Sequence, residues 1–85
     1  MSTMNTDSLT VYTKPGCVQC TATYRALDAN GILYDVVDLS ENDTATEYVK
    51  QLGYLSAPVV VVNEHEHWAG FRIDLIEQLA ARLGE

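Results

Sequence analysis

Basic residues are scarce in this 85-residue chain, where five Lys and Arg stand against twelve Asp and Glu for a formal net charge of −7. Between Arg25 and Lys50 six carboxylates (Asp28, Asp35, Asp38, Glu41, Asp43, Glu47) occur with no base among them. Proteins that bind DNA or RNA use Lys and Arg to displace counterions from phosphates, so this balance argues against a nucleic-acid partner. The acidic stretch reads as a solvated face, with steering of a basic partner as the alternative. Long apolar runs are missing too: none approaches the roughly 20 residues that span a bilayer, and no membrane partner is expected. Residues 1–8 have neither the basic nor the apolar region of a signal peptide. Two cysteines are too few for the disulfide frameworks of small secreted domains. The expectation is a cytoplasmic protein in a reducing compartment, where a cysteine pair serves redox chemistry rather than stapling. Repeats, low-complexity tracts and linkers are absent as well. A chain this short buries only about 60–65% of its unfolded surface, which allows one compact core. Residues 1–8 read as a flexible tail and 9–85 as a single domain, expected to be monomeric.

Both cysteines lie in Cys17-Val18-Gln19-Cys20, directly after Thr13-Lys14-Pro15-Gly16. The alternating run Leu9-Thr10-Val11-Tyr12 before them reads as a strand, and a helix-like stretch follows. Residues three apart on a helix share a face, with Cα atoms about 4.5–5.5 Å apart, within the reach of a disulfide. The first cysteine meets the unpaired N–H groups and positive dipole end of the helix, which favour a thiolate. Cys17 is therefore the candidate nucleophile and Cys20 the candidate resolving thiol.

Further along, a helix is expected from Cys17 to Ala29, with Cys20, Tyr24 and Leu27 on one stripe and Asn30-Gly31 as its stop. A second strand is expected near Leu33–Leu39. A second helix follows from Asp43 or Thr44, where Thr44-Ala45-Thr46-Glu47 fits a capping box. Its apolar positions are Ala45, Tyr48, Val49 and Leu52, and Gly53 ends it. Val59-Val60-Val61-Val62 has no alternation and suits a strand buried on both faces. Asn63-Glu64-His65-Glu66 suits a hairpin turn into a short strand at Glu66–Trp68. A last helix is expected at Arg72–Leu83, with Ile73, Ile76, Leu79, Ala80 and Leu83 inward. The order βαβ then αββα gives an α/β fold, a four-stranded mixed sheet with three helices on its two faces.

This order, with Cys-x-x-Cys opening the first helix and a proline opening the third strand, resembles the thioredoxin fold in its minimal glutaredoxin-like form. Lys14-Pro15-Gly16-Cys17-Val18-Gln19-Cys20, Ala57-Pro58-Val59-Val60 and Trp68-Ala69-Gly70-Phe71-Arg72 together resemble the NrdH-redoxins over about residues 9–83. Two positions depart from that family's usual Trp-Ser-Gly-Phe-Arg-Pro. Ala69 replaces a serine hydroxyl, and Ile73 replaces a proline that would pre-set φ at a helix start. The resemblance implies thiol–disulfide oxidoreductase activity with no bound cofactor. It implies reduction by thioredoxin reductase, using NADPH indirectly, and delivery of electrons to the large subunit of a class Ib ribonucleotide reductase.

It also implies roles at individual residues. Pro58 corresponds to the family's cis-proline, leaving the backbone at Ala57 free to pair with an extended substrate segment. Trp68, Ala69, Gly70 and Phe71 correspond to a loop that docks partners and supports the cysteine loop, with core packing of the aromatics as the alternative. Arg72 reads equally as a hydrogen-bonding residue of that loop or as a solvated one. Lys14 is the nearest charge to Cys17; with Pro15, Gly16, Val18 and Gln19 it forms the expected partner-binding rim. No carboxylate in the first strand offers Cys20 a buried proton acceptor.

Two other functions compete. A glutathione-dependent glutaredoxin is favoured by Lys14, three residues before Cys17. It is disfavoured by Ser56-Ala57-Pro58 in place of Thr-Val-Pro, and by Ala69-Gly70-Phe71-Arg72 in place of the Gly-Gly-x-Asp glutathione loop. A metal-binding module would need two ligands beyond the cysteines, and His65-Glu66-His67 spaces its histidines too closely for the usual zinc fingers. No metal site is expected, and the histidines read as exposed residues flanking a turn.

Overall fold

The computed structural model describes residues 9–83, so the tail expected at residues 1–8 lies outside the described residues. The chain runs β1 (Leu9–Thr13), α1 (Val18–Ala29), β2 (Tyr34–Asp38), α2 (Asp43–Gln51), β3 (Val59–Asn63), β4 (Glu66–Ala69) and α3 (Ile73–Leu83). A one-turn 3₁₀ helix at Leu39–Glu41, which the sequence reading did not anticipate, joins β2 to α2. The four strands stand in the order β2-β1-β3-β4. β1 runs parallel to β2 and antiparallel to β3, and β4 returns antiparallel to β3 through a bulged hairpin. This is the expected mixed sheet.

The valine run explains how the sheet carries two cores. Successive side chains of a strand point to opposite faces. Val60 packs with Leu9, Val11, Ala26, Leu27, Ile76 and Leu79, between the sheet and the helices α1 and α3. Val59 and Val61 pack instead against Val49 of α2, with Tyr12, Tyr48 and Leu52 around them. Val59, Val60 and Val61 are all buried, as a strand covered on both sides requires. Each such side chain contributes about 1.5–3 kcal/mol on burial.

Several boundaries differ from expectation, each for a local reason. Cys17 is not helical: its backbone is extended (φ −90°, ψ 105°) and it caps α1. Gly31, at φ +69°, supplies the left-handed stop after Asn30. The cap of α2 is Asn42, whose Oδ1 accepts from Ala45 N at 2.9 Å, so Thr44 lies within the helix rather than heading a capping box. Thr46, two residues on, donates its hydroxyl to Leu39 O and Asn42 O. In α3, Ile76 and Leu79 are buried, whereas Ile73 and Leu83 are 42% and 40% exposed. Leu75 and Ala80 pack against the core beside Ile76 and Leu79, and Ile73 sits about 90° around the helix from the centre of that stripe. Leu83 is the last helical residue and overhangs the core.

Candidate functional site

The site forms where the C-terminal ends of β1 and β4 meet the start of β3. β1 ends at Thr13, and Tyr12 stands opposite Val59, which in turn stands opposite Ala69. Lys14, Pro15 and Gly16 turn the chain sharply and deliver Cys17 to the first turn of α1. Cys17 and Cys20 are joined as a disulfide with their Cα atoms 5.2 Å apart, in the range expected from helical spacing.

The two sulfurs have different surroundings. Cys20, in the first turn of α1, is 2% exposed, whereas Cys17 is partly open to solvent in a shallow depression shared with Lys14, Val18, Thr21 and Tyr24. Cys17 Sγ accepts a hydrogen bond from Cys20 N at 3.1 Å, taking the capping position that a serine or aspartate oxygen usually holds. A thioether-like or disulfide sulfur is a weak acceptor, but a thiolate is a charged and strong one. The cap therefore gains strength when Cys17 ionises, and the first turn of α1 holds no acidic residue to oppose that charge.

Three distant segments converge on this corner. The Ala57–Pro58 peptide is cis, in agreement with the resemblance, and Pro58 is buried. Pro58 O accepts from Gly70 N at 2.8 Å, which ties the loop after β4 to the proline. Gly70 adopts φ +84°, and a Cβ there would lie 3.6 Å from Gln19 Oε1, so the Gln19 amide rests against this glycine. The cysteine loop, the proline and the aromatic loop thus touch one another through Gln19, Pro58 and Gly70.

The aromatic loop divides its labour. Trp68 is 5% exposed and belongs to the main core, so it supports the loop from beneath instead of offering a docking surface. Phe71 is 38% exposed and Val18 82%, and these two supply apolar surface at the rim. Arg72 is committed within its loop: its Nε and Nη2 donate to the Asp74 carboxylate at 3.1 and 2.9 Å, and its carbonyl accepts from Ile76 N. That guanidinium holds the Asp74 carboxyl below its ordinary pKa. Asp74 as the partner of Arg72 was missed from sequence, although a basic and an acidic residue two apart at a helix start were visible.

His65 is exposed in the hairpin turn, as expected. His67 is not a free surface residue: its Nδ1 shares a 2.8 Å hydrogen bond with the Tyr54 hydroxyl, and the two rings meet edge to face. Among the described residues no group of three or more His, Cys, Asp or Glu side chains is arranged to hold a metal ion. No described helix is long and apolar enough to cross a membrane.

Comparison with known proteins agrees with this geometry. The glutaredoxin family model matches residues 9–68. The chain is 36% identical over 72 residues to the glutaredoxin-like protein NrdH of Salmonella typhimurium, covering 85% of this chain and 88% of that one. It is 42% identical over 72 residues to the gene 56 protein of Mycobacterium phage L5, covering 84% and 70%. Among solved structures it superposes on the glutaredoxin-like NrdH-redoxin of Escherichia coli, described as having a thioredoxin-like activity profile. That match has a TM-score of 0.78 and 35% identity, over 85% of this chain and 93% of the other. With its thioredoxin-like sheet, its Cys17–Cys20 pair and these relatives, the chain belongs to the glutaredoxin family, as an NrdH-like thiol–disulfide oxidoreductase.

Proposed function

We propose that this protein is a cytoplasmic, monomeric dithiol electron donor with no bound cofactor. Thioredoxin reductase would recharge it at the expense of NADPH, and it would reduce the large subunit of a class Ib ribonucleotide reductase. The observation that carries the mechanism is the asymmetry of the two cysteines: Cys17 is partly accessible and its sulfur accepts from Cys20 N–H as the cap of α1, while Cys20 is buried. In the reduced protein the Cys17 thiolate attacks one sulfur of the substrate disulfide. A Cys17–substrate bond forms, the substrate S–S bond breaks, and the departing thiolate takes up a proton. Cys20 then loses its proton and attacks Cys17 Sγ, releasing the second substrate thiol and closing the Cys17–Cys20 disulfide. Two electrons and two protons have passed to the substrate.

The choice of reductase draws on the loop after β4. Ala69-Gly70-Phe71-Arg72 fills the position where a glutathione-binding Gly-Gly-x-Asp loop would stand, Gly70 is packed on Gln19, and Arg72 is occupied by Asp74. The likeness to an NrdH-redoxin described as having a thioredoxin-like activity profile supports the same reading. Lys14 makes no ion pair with any described residue beside Cys17, which keeps a glutathione-dependent activity as the second reading.

The paired reductase assay separates them. With NADPH and thioredoxin reductase the protein should turn over a disulfide substrate, and with glutathione and glutathione reductase it should do so poorly. Efficient glutathione-driven turnover alone would reverse the ranking. Cys17→Ser should abolish turnover, and Cys20→Ser should accumulate a mixed disulfide at Cys17, visible as an added substrate mass.

A further inference from the structure

The stretch that carries Ala57 into the site is short and fastened only at its ends. α2 closes with Gly53 N donating to Lys50 O at 2.9 Å and Tyr54 N donating to Val49 O at 3.0 Å. Four residues on, Pro58 is buried and its carbonyl accepts from Gly70 N. Leu55, Ser56 and Ala57 bridge the two fixtures, with Leu55 84% exposed and Ser56 exposed beside it. Among the described residues no hydrogen bond reaches any of these three. Their position is therefore set by what holds Tyr54 and Pro58.

The side chain of Tyr54 ties its end of the bridge to β4. Its hydroxyl lies 2.8 Å from His67 Nδ1 and 3.2 Å from His67 O, and the two rings meet edge to face with centroids 5.5 Å apart. A phenol has one proton to give and lone pairs to receive, so it can donate to the carbonyl while accepting from Nδ1–H. That carbonyl stands on the outer side of β4. Antiparallel pairs alternate between bonded and unbonded, and Gly70–Pro58 is bonded, so Val61–His67, three pairs further along, is unbonded. β4 is the last strand of the sheet, and the Tyr54 hydroxyl occupies the place a neighbouring strand would take. His67 fastens Tyr54 and Gly70 fastens Pro58, so both ends of the bridge rest on one strand.

We propose that Tyr54 and His67 are positioning residues for exchange with extended substrates, their bond setting the level at which the Ala57 backbone meets a substrate segment. Neither residue touches the reacting sulfurs. Ordering a loop costs backbone entropy, and a loop already held in place loses less when a substrate pairs with it. The tie lets Ala57 keep its own backbone groups unpaired without leaving the bridge free to wander. A small disulfide that makes no backbone pairing needs only Cys17 and gains nothing from the tie. The proposal rests on the dithiol-exchange reading above and adds to it the residues that hold the pairing backbone.

Tyr54→Phe keeps the ring and removes the hydroxyl. Second-order rate constants for reduction by the dithiol form are measured with hydroxyethyl disulfide and with an extended cysteine peptide carried as its mixed disulfide with mercaptoethanol. The peptide rate should fall about three- to tenfold, the scale of one hydrogen bond, while the small-disulfide rate stays unchanged. His67→Leu should lower the peptide rate to the same degree, and joining it to Tyr54→Phe should lower it no further. His67→Asn puts an amide near the place of Nδ1 and should restore most of the rate, which a general loss of packing would not allow. Should Tyr54→Phe fail to fold, His67→Leu against His67→Asn makes the same comparison. An unchanged peptide rate, equal slowing of both disulfides, additive effects, or no recovery with asparagine would overturn the positioning role and leave the exchange chemistry standing. Failure of the unmutated protein to reduce either disulfide would overturn both.

Discussion

The two faces of the sheet are built to different depths. Among the described residues the apolar cluster under α1 and α3 has nine buried members, Leu9, Val11, Ala26, Leu27, Ile32, Val60, Trp68, Ile76 and Leu79. The cluster under α2 has three buried members, Val49, Val59 and Val61, with partly open residues around them, and Ala45 of α2 is buried beside it in the chain but outside the cluster. Burial of apolar area is the main source of stability, so the first face holds the fold. The second face is thin, and Tyr54, bonded to His67, is among the partly buried residues that fill it out. Cys20 is buried within α1 whereas Cys17, ahead of the helix, is partly open, so one sulfur is shielded and the other reachable.

The comparison can be broken most directly by Leu27→Ala. Leu27 is fully buried on the thick face, and its truncation should cost about 2–5 kcal/mol. Urea unfolding followed by circular dichroism measures that loss. Val49→Ala on the thin face removes two methyl groups and should cost about 1.5 kcal/mol in the same experiment. A loss at Val49 equal to that at Leu27 would mean that the two faces support the fold equally.

Gly70→Ala probes the seam between the aromatic and cysteine loops. At φ +84° an alanine is disfavoured by about 1–2 kcal/mol, while the 3.6 Å approach to Gln19 Oε1 is an ordinary contact. The variant should be less stable by that conformational amount, with the amide resonances of Gln19 and Cys20 displaced. The smallest effect belongs to Asp74. Its carboxyl is held below the ordinary value by the Arg72 guanidinium, so the pairing contributes above the unfolded-state pKa and is lost as pH falls through the folded-state value. Carboxyl NMR should show Asp74 titrating at lower pH than a free aspartate, and Arg72→Gln should return it toward the ordinary range.

Much of the frame was legible because it is local. Leu9 and Val11 alternate with Thr10 and Tyr12, and they divide between the two cores as a strand of period two must. The run Val59–Val62 reads as a strand buried on both faces, and Val59, Val60 and Val61 are buried while Val62, near the hairpin, is only partly so. The cap of α2 was misplaced because Asn42 and Thr44 are both good capping residues. The 3₁₀ turn decides between them, since it places Leu39 O and Asn42 O where the Thr46 hydroxyl can reach both. The Tyr54–His67 bond was invisible for a different reason. Its partners lie on separate elements, 13 residues apart, and no periodicity reports such a meeting.

For the cysteine pair itself, spacing and the turn before it were enough to set the Cα separation and to put a sulfur at a helix start, because those follow from backbone geometry over four residues. Nothing within those four residues decides that Cys20 is sealed while Cys17 is open, or that Gln19 lies against Gly70 and Gly70 against Pro58. Those outcomes required β3 and β4 to return beside β1 and the helices to cover the sheet unequally. They depend on contacts between residues from 12 positions apart, for Pro58 and Gly70, to 51 apart, for Gln19 and Gly70, which exist only once the core has closed.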